Sequence, residues 1–184
     1  MIDSNVEAKG AIRELARKFK LPEITVTILY NRGFCTEDQL QAFLYPQLSM
    51  LPAPDSMKDM ATATGLLVAA CKTGKTIFIH GDYDVDGVTA TALLVAFFRE
   101  IKMKAAWYIP DRRKEKYGLS ESSIDHLLDG HCLEGGEILV SVDCGVSAVA
   151  EVKYAKNKGL KVIVTDHHEP PHRLPDADAL INPK

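Results

Sequence analysis

The residues best suited to chemistry lie in one short stretch, Ile79 to Ala90, reading IHGDYDVDGVTA. Asp82, Asp84 and Asp86 stand there at two-residue steps, between the apolar runs TIFI and TALLVAFF. Two further groups share this character. Asp143 follows EILVSV and precedes Cys144 and Gly145, and Asp166, His167, His168 and Glu169 follow KVIVT. Carboxylates packed this closely repel one another and raise one another's pKa values, so such a cluster is hard to maintain without a cation. Oxygen and imidazole donors with no thiolate favour Mn2+ or Mg2+ over a structural zinc site. Each piece alone has a plainer reading, because Asp commonly caps a helix that follows a strand and a single terminal His is usually a surface residue. Their joint occurrence after three separate apolar runs is what points to a metal centre.

Those runs alternate with helical segments. After a helix expected from about Met57 to Cys71 come TIFIH, a helix over VTATALLVAFFREI, AAWYIP, a helix over SESSIDHLLDG, EILVSVD, a helix over SAVAEVKYAKNKG, and KVIVTD. The strands are continuously apolar rather than alternating, as expected when helices cover both faces of a sheet. The pattern predicts a doubly wound, mostly parallel α/β sheet in three layers, with ligands at the carboxyl ends of its strands. Upstream, residues 6–20 place Ile12, Leu15, Ala16 and Phe19 at helical spacing. ITVTILYNRGF fits a strand by its β-branched residues and a helix by Ile24, Ile28 and a stop at Gly33, and helix is the preferred reading. Thr36 is placed to cap a third helix carrying Leu40, Phe43 and Leu44 on one face. Pro46, Pro52 and Pro54 then break regular structure. Residues 1–56 are therefore expected to be a helical appendage with its linker, and 57–184 the α/β domain.

Bulk composition excludes little. The 184 residues are 46% hydrophobic and 26% charged with a net charge of −3, so they suffice for one sizeable core and carry no global positive field for a nucleic acid or a membrane. A carboxylate metal site is acidic until its cations bind, so nucleic acid stays open as a partner. Cys35, Cys71, Cys132 and Cys144 are scattered, without a CxxC pair or zinc-finger spacing, which suits reduced thiols. No apolar stretch approaches the ~18 residues that span a bilayer, and a cytoplasmic protein without a membrane partner is expected.

Two familiar motifs fail on spacing. Asp82-Tyr-Asp84-Val-Asp86-Gly87 imitates the start of an EF-hand loop, but Leu93 stands where the bidentate glutamate belongs. TGKT, Thr73 to Thr76, imitates the end of a P-loop, but Ala69 stands at its first glycine and the lysine precedes a strand.

HGDYDVDG, SVDCG and TDHHEP resemble the first three motifs of the DHH phosphoesterase superfamily, the last containing its name-giving Asp-His-His. NRGF with FLYPQL, the DYDVDG form of the first motif, IPDRRKEKYGLS and HHEPPHRLPDADALINPK are similar to the RecJ-like branch, single-strand-specific DNA exonucleases. The resemblance implies two Mn2+ (or Mg2+) ions per complete site. His80, Asp84 and Asp143 would hold one, and Asp86, Asp143 and His167 the other, with Asp143 as the bridge. A bridging carboxylate must come from a different strand than the paired aspartates, and Asp143 does. His168 would donate to a phosphate oxygen and, with Asp143, be catalytic. Asp82 and Asp166 would orient ligands from outside the set, and Gly81 and Gly87 would let the backbone turn around the ions.

For substrate, the resemblance points to Arg112 as a bidentate phosphate grip. Tyr117 would stack on a base or pack under its loop. Arg113 and Lys114 fit a solvated charge run equally well, Lys116 stands where the pattern has glycine, and His126 and His131 receive no role. A fourth-motif aspartate, a second lobe and a nucleic-acid-binding OB module are expected beyond Lys184, making the chain an N-terminal portion of a longer nuclease with reduced activity by itself. The function implied is 5'→3' degradation of single-stranded DNA in repair and recombination, with a single-stranded-DNA-binding protein and a helicase as further partners. Two alternatives stand beside it. One is a relative acting on oligoribonucleotides, cyclic dinucleotides or pyrophosphate, which the helical appendage and the DYDVDG form disfavour. The other is a non-catalytic replication or repair scaffold, which the full set of early ligands disfavours.

Overall fold

Apolar spacing in the first fifty residues closes three helices on one another: α1 (Val6–Phe19), α2 (Glu23–Asn31) and α3 (Glu37–Leu44). Ile12, Leu15 and Ala16 of α1 bury with Val26 and Leu40, and Phe19, Tyr30 and Leu44 pack around them. The segment that fitted either strand or helix is helical, with Val26 and Leu29 three apart on its buried face and Gly33 turning the chain out at φ 95°. Thr36 and Gln39 form a reciprocal capping box, Thr36 Oγ1 accepting the Gln39 N–H and Gln39 Oε1 accepting the Thr36 N–H. The chain divides into two compact units, Met1–Pro52 and Ala53–Lys184, and the computed structural model describes residues 6–184.

In the second unit α4 (Met60–Thr73) starts three residues after the expected Met57. Asp59 takes a left-handed conformation before it, and its carboxylate accepts the backbone N–H of Leu180 rather than capping the helix. Strands β1 (Ile77–His80), β2 (Ala105–Tyr108), β3 (Ile138–Val142), β4 (Lys161–Thr165) and β5 (Ala179–Ile181) alternate with α5 (Val85–Glu100), α6 (Glu121–Leu128) and α7 (Val149–Asn157), except that no helix separates β4 from β5. The strand order is β2-β1-β3-β4-β5, and every pairing is parallel. The fold is α/β, more uniformly parallel than expected. β5 carried no signal of its own because three residues are too few to show a period; it is held by Asp178, whose Oδ2 accepts the Val162 N–H at 2.9 Å.

Strand residues alternate between two cores. Ile77, Ile79, Ile138, Val140 and Ile163 face α4 and α5 with Ala63, Ala70, Val95 and Phe98. Phe78, Leu139, Val162 and Val164 face α6 and α7 with Ile124, Leu127, Val152 and Ala155. Burial on both faces explains the continuous apolar strands. The same alternation decides where His80 goes. Two residues beyond Phe78, it continues the face covered by α6. The chain leaves β1 to one side for β2 and returns on the other for β3, and a strand-order reversal of this kind opens a crevice beyond the strands' carboxyl ends. The loops after β1 and β3 meet there. Among the described residues, no helix is long and apolar enough to cross a membrane.

Candidate metal centre

The loop from β1 into α5 is folded tightly. Asp84 is the N-cap of α5, its Oδ1 accepting the N–H groups of Asp86 at 2.9 Å and Gly87 at 3.2 Å. Those hydrogen bonds, the one from Gly87 foremost, hold its carboxyl below the usual carboxylate range. Gly87 is required because the first turn of α5 lies against the backbone of Asp82, where a Cβ would collide with the Asp82 N and O. That contact carries Asp82 into the interior, fully buried.

From β3 comes Asp143, which takes φ 61° while its N–H donates to the Thr165 carbonyl at 3.0 Å. Left-handed conformations are rare outside glycine but most accessible to Asp and Asn, and they concentrate at functional sites. From β4 comes Asp166, which anchors the loop after it: Oδ2 accepts the Val146 N–H at 2.9 Å, and Oδ1 accepts from the backbone of His167 at 2.7 Å and of His168 at 3.1 Å and from His168 Nδ1 at 2.7 Å. Burial pushes the Asp166 carboxyl up, but these donors outweigh it and hold it low. The same pair raises the pKa of His168.

Two triads result, both containing Asp143. Ligand atoms of Asp82, Asp84 and Asp143 lie within 4.8 Å of one another, and so do those of Asp143, His167 and His168. Asp143 Oδ1 is 2.9 Å from His167 Nε2. Burial, and after it the neighbouring Asp84, raise the Asp143 carboxyl, so two acids in contact are driven apart in pKa. Asp86 is outside both triads but lines, with Asp143, Asp166 and His167, an open pocket of about 570 Å³. His80 is also outside them. It is fully buried, with Nε2 2.8 Å from Ser123 Oγ, and burial lowers its pKa to about 4. Asp82, expected to orient ligands from outside the set, lies in one triad with Asp84 and Asp143.

Buried polar atoms without partners test whether this group fits a cation. Among the described residues there are five, and four belong here: His80 Nδ1, both carboxylate oxygens of Asp82, and Asp143 Oδ2. A desolvated carboxylate costs several kcal/mol unless a cation or a proton compensates it. Hard oxygens with neutral imidazole suit Mn2+ or Mg2+. The residues fit.

Beside the triads runs an aromatic chain. The Arg112 guanidinium lies 5.3 Å from the ring centre of Tyr83, which meets Tyr117 edge-on at 6.3 Å, and Tyr117 meets His168 at 5.8 Å. Tyr117 Oη donates to the Asp143 carbonyl at 3.0 Å. The loop carrying Arg112 is pinned by Glu115, which accepts from the Tyr108 hydroxyl and the Asp111 N–H at 2.8 Å each. Arg113 and Lys114 are exposed and pair with Asp111. His126 packs on Tyr108 and His131 edge-on to Phe78, away from the triads. Tyr83 and Ser123 were missed from sequence. Tyr83 had a signal, as an aromatic residue between two acids; Ser123, a polar residue in the first turn of α6, had none.

The model of the DHH family, N-terminal domain, matches residues 76–184. The chain belongs to the DHH family. The three strands that deliver the triads all lie within the DHH match. Similar curated proteins include the single-stranded-DNA-specific exonuclease RecJ of Bacillus subtilis, 35% identical over 94% of this chain and 22% of its own length. That of Thermus thermophilus is 34% identical over 93% of this chain and 24% of its own length. This DHH-family chain thus spans about a quarter of the curated relatives it matches. A crystal structure of Thermus thermophilus RecJ in complex with Mn2+ matches 95% of this chain and 23% of its own at 29% identity with a TM-score of 0.65. A crystal structure of exonuclease RecJ bound to manganese matches 74% of this chain and 33% of its own at 34% identity with a TM-score of 0.63.

Proposed function

We propose that this chain supplies the metal-binding part of a divalent-cation-dependent phosphodiesterase acting on single-stranded DNA from its 5' end, in DNA repair and recombination in the cytoplasm. The observation that carries the reading is the pair of triads sharing Asp143, with unpartnered buried acceptor atoms on Asp82, Asp143 and His80. The names of its relatives support the choice of DNA, and the manganese in two related structures supports the choice of cation. Residues 57–184 form the N-terminal portion of the DHH domain in this reading, and 1–56 a helical region with its linker.

His80, Asp84 and Asp143 are proposed to hold one ion and Asp86, Asp143 and His167 the other, with Asp82 close enough to Asp84 and Asp143 to orient or join the first set. Two cations bound there would lower the pKa of a water and neutralise charge on the attacked phosphate and the leaving oxygen. The chain's own groups do the rest. Asp166 fixes His168 through Nδ1, leaving Nε2 to donate to a phosphate oxygen, and the raised pKa of His168 favours the donor form. Arg112 grips a neighbouring phosphate, while Tyr83 and Tyr117 present aromatic surface to the bases of a single strand. Calorimetry with Mn2+ is the test. Asp143→Ala is expected to abolish binding at both positions because the bridge is shared, and a variant binding as many ions as the parent chain would sink this layout.

A further inference from the structure

His80 Nε2 and Ser123 Oγ make a close polar contact between β1 and α6, and the hydroxyl has more than one partner. Ser123 sits at the third position of α6 in a capping box: its N–H donates to Ser120 Oγ at 3.0 Å, and its Oγ accepts the Ser120 N–H at 3.0 Å. Ser123 Oγ also lies 2.9 Å from the Ser120 carbonyl, to which only the hydroxyl can donate. A serine hydroxyl has one proton and two lone pairs. With the proton given to Ser120 O and one lone pair given to Ser120 N–H, the remaining lone pair faces His80 Nε2 at 2.8 Å. All three contacts are satisfied together only if Nε2 carries the imidazole proton.

Nδ1 of the same ring is buried and has no partner among the described residues. Were it protonated, an N–H donor would be stranded in the interior. We infer that the capping box of α6 sets the tautomer of His80, with Ser123 as a positioning residue that keeps the proton on Nε2 and turns a bare Nδ1 toward a divalent cation. A metal-bound imidazole commonly has its other nitrogen tied to an outer acceptor that fixes the ring and raises its basicity, and losing that acceptor typically costs 10- to 100-fold in metal affinity. Here the acceptor comes from a helix cap, so the capping energy of α6 and the orientation of a ligand share one hydroxyl.

This inference rests on the proposed role of His80 in holding metal, and four variants separate the two. Metal-free chain labelled with 15N-histidine is expected to show His80 protonated at Nε2 and bare at Nδ1, and Ser123→Thr to preserve that signature. Ser123→Ala is expected to weaken Mn2+ binding measured by calorimetry about 10-fold and to mix the tautomers. Ser120→Ala removes the other half of the same cap while sparing the contact to His80, and is expected to keep both parental affinity and tautomer. If Ser120→Ala lowers Mn2+ affinity as much as Ser123→Ala, the effect belongs to helix stability and the inference is overturned. A metal-free His80 protonated at Nδ1 overturns it directly. If His80→Ala leaves Mn2+ affinity unchanged, the proposed ligand layout fails instead.

Discussion

At the scale of single residues, a buried acid is tolerated only by what surrounds it. Asp166 is compensated by four donors, and so belongs to the scaffold that aims His167 and His168. Asp82 has none among the described residues, so a cation or a proton must compensate it. Tyr83, between Asp82 and Asp84, faces the basic loop and lies under Arg112. A cation–π contact at an exposed site is worth about 0.5–1 kcal/mol, roughly 2- to 5-fold in affinity. Tyr83→Leu is therefore expected to weaken binding of a fluorescent single-stranded oligonucleotide by about that factor, and Tyr83→Phe to leave it unchanged. Equal loss in both variants would assign Tyr83 a different role. Arg112→Ala should weaken the same binding and flatten its salt dependence by about one phosphate contact.

At the scale of elements, β3 is held where it delivers Asp143. β3 is entered through a loop closed by Glu137, which is almost fully buried and accepts the N–H groups of Glu134 at 3.1 Å and Gly135 at 2.9 Å, with Lys75 Nζ 3.8 Å away. Burial pushes its carboxyl up, but the backbone donors and Lys75 prevail and hold it below its ordinary value. The folded-state pKa is thus lower than the unfolded one. The stabilisation is fully present above the unfolded value of 4.5 and is lost as pH falls through the folded one. Glu137→Gln is expected to cost about 1–2 kcal/mol at neutral pH and to flatten the acid limb of a stability profile from urea unfolding. Parallel acid limbs would count against this account.

At the scale of the whole molecule, the α/β unit gathers like charges at one edge, and the proposed ions would relieve them. Chelation and Mn2+ should therefore move stability in opposite directions. At a free Mn2+ concentration of about 100 times Kd, linkage stabilises the folded state by ~2.7 kcal/mol. A unit of this size should then melt about 5–10 °C higher in Mn2+ than in EDTA. An unchanged Tm would mean that the acidic edge does not hold the ion.

Sequence by itself determined the α/β class, the alternation of strands with helices, and the delivery of Asp84, Asp86, Asp143, His167 and His168 to the carboxyl ends of three strands. Those are consequences of local period: continuous apolar runs define strands, and the residues that follow a strand must lie at its end. Capping at Thr36 was equally local. Tertiary structure alone decided that β1 lies between β2 and β3, that Asp82 is buried beside Asp84, that Tyr83 meets Arg112, and that His80 meets Ser123 across 43 residues. No period in the chain encodes those pairings. They arise because alternation along β1 sends His80 to the face that α6 covers, while tight packing at Gly87 draws Asp82 inward, and both depend on helices that the sequence places only once they are docked on the sheet.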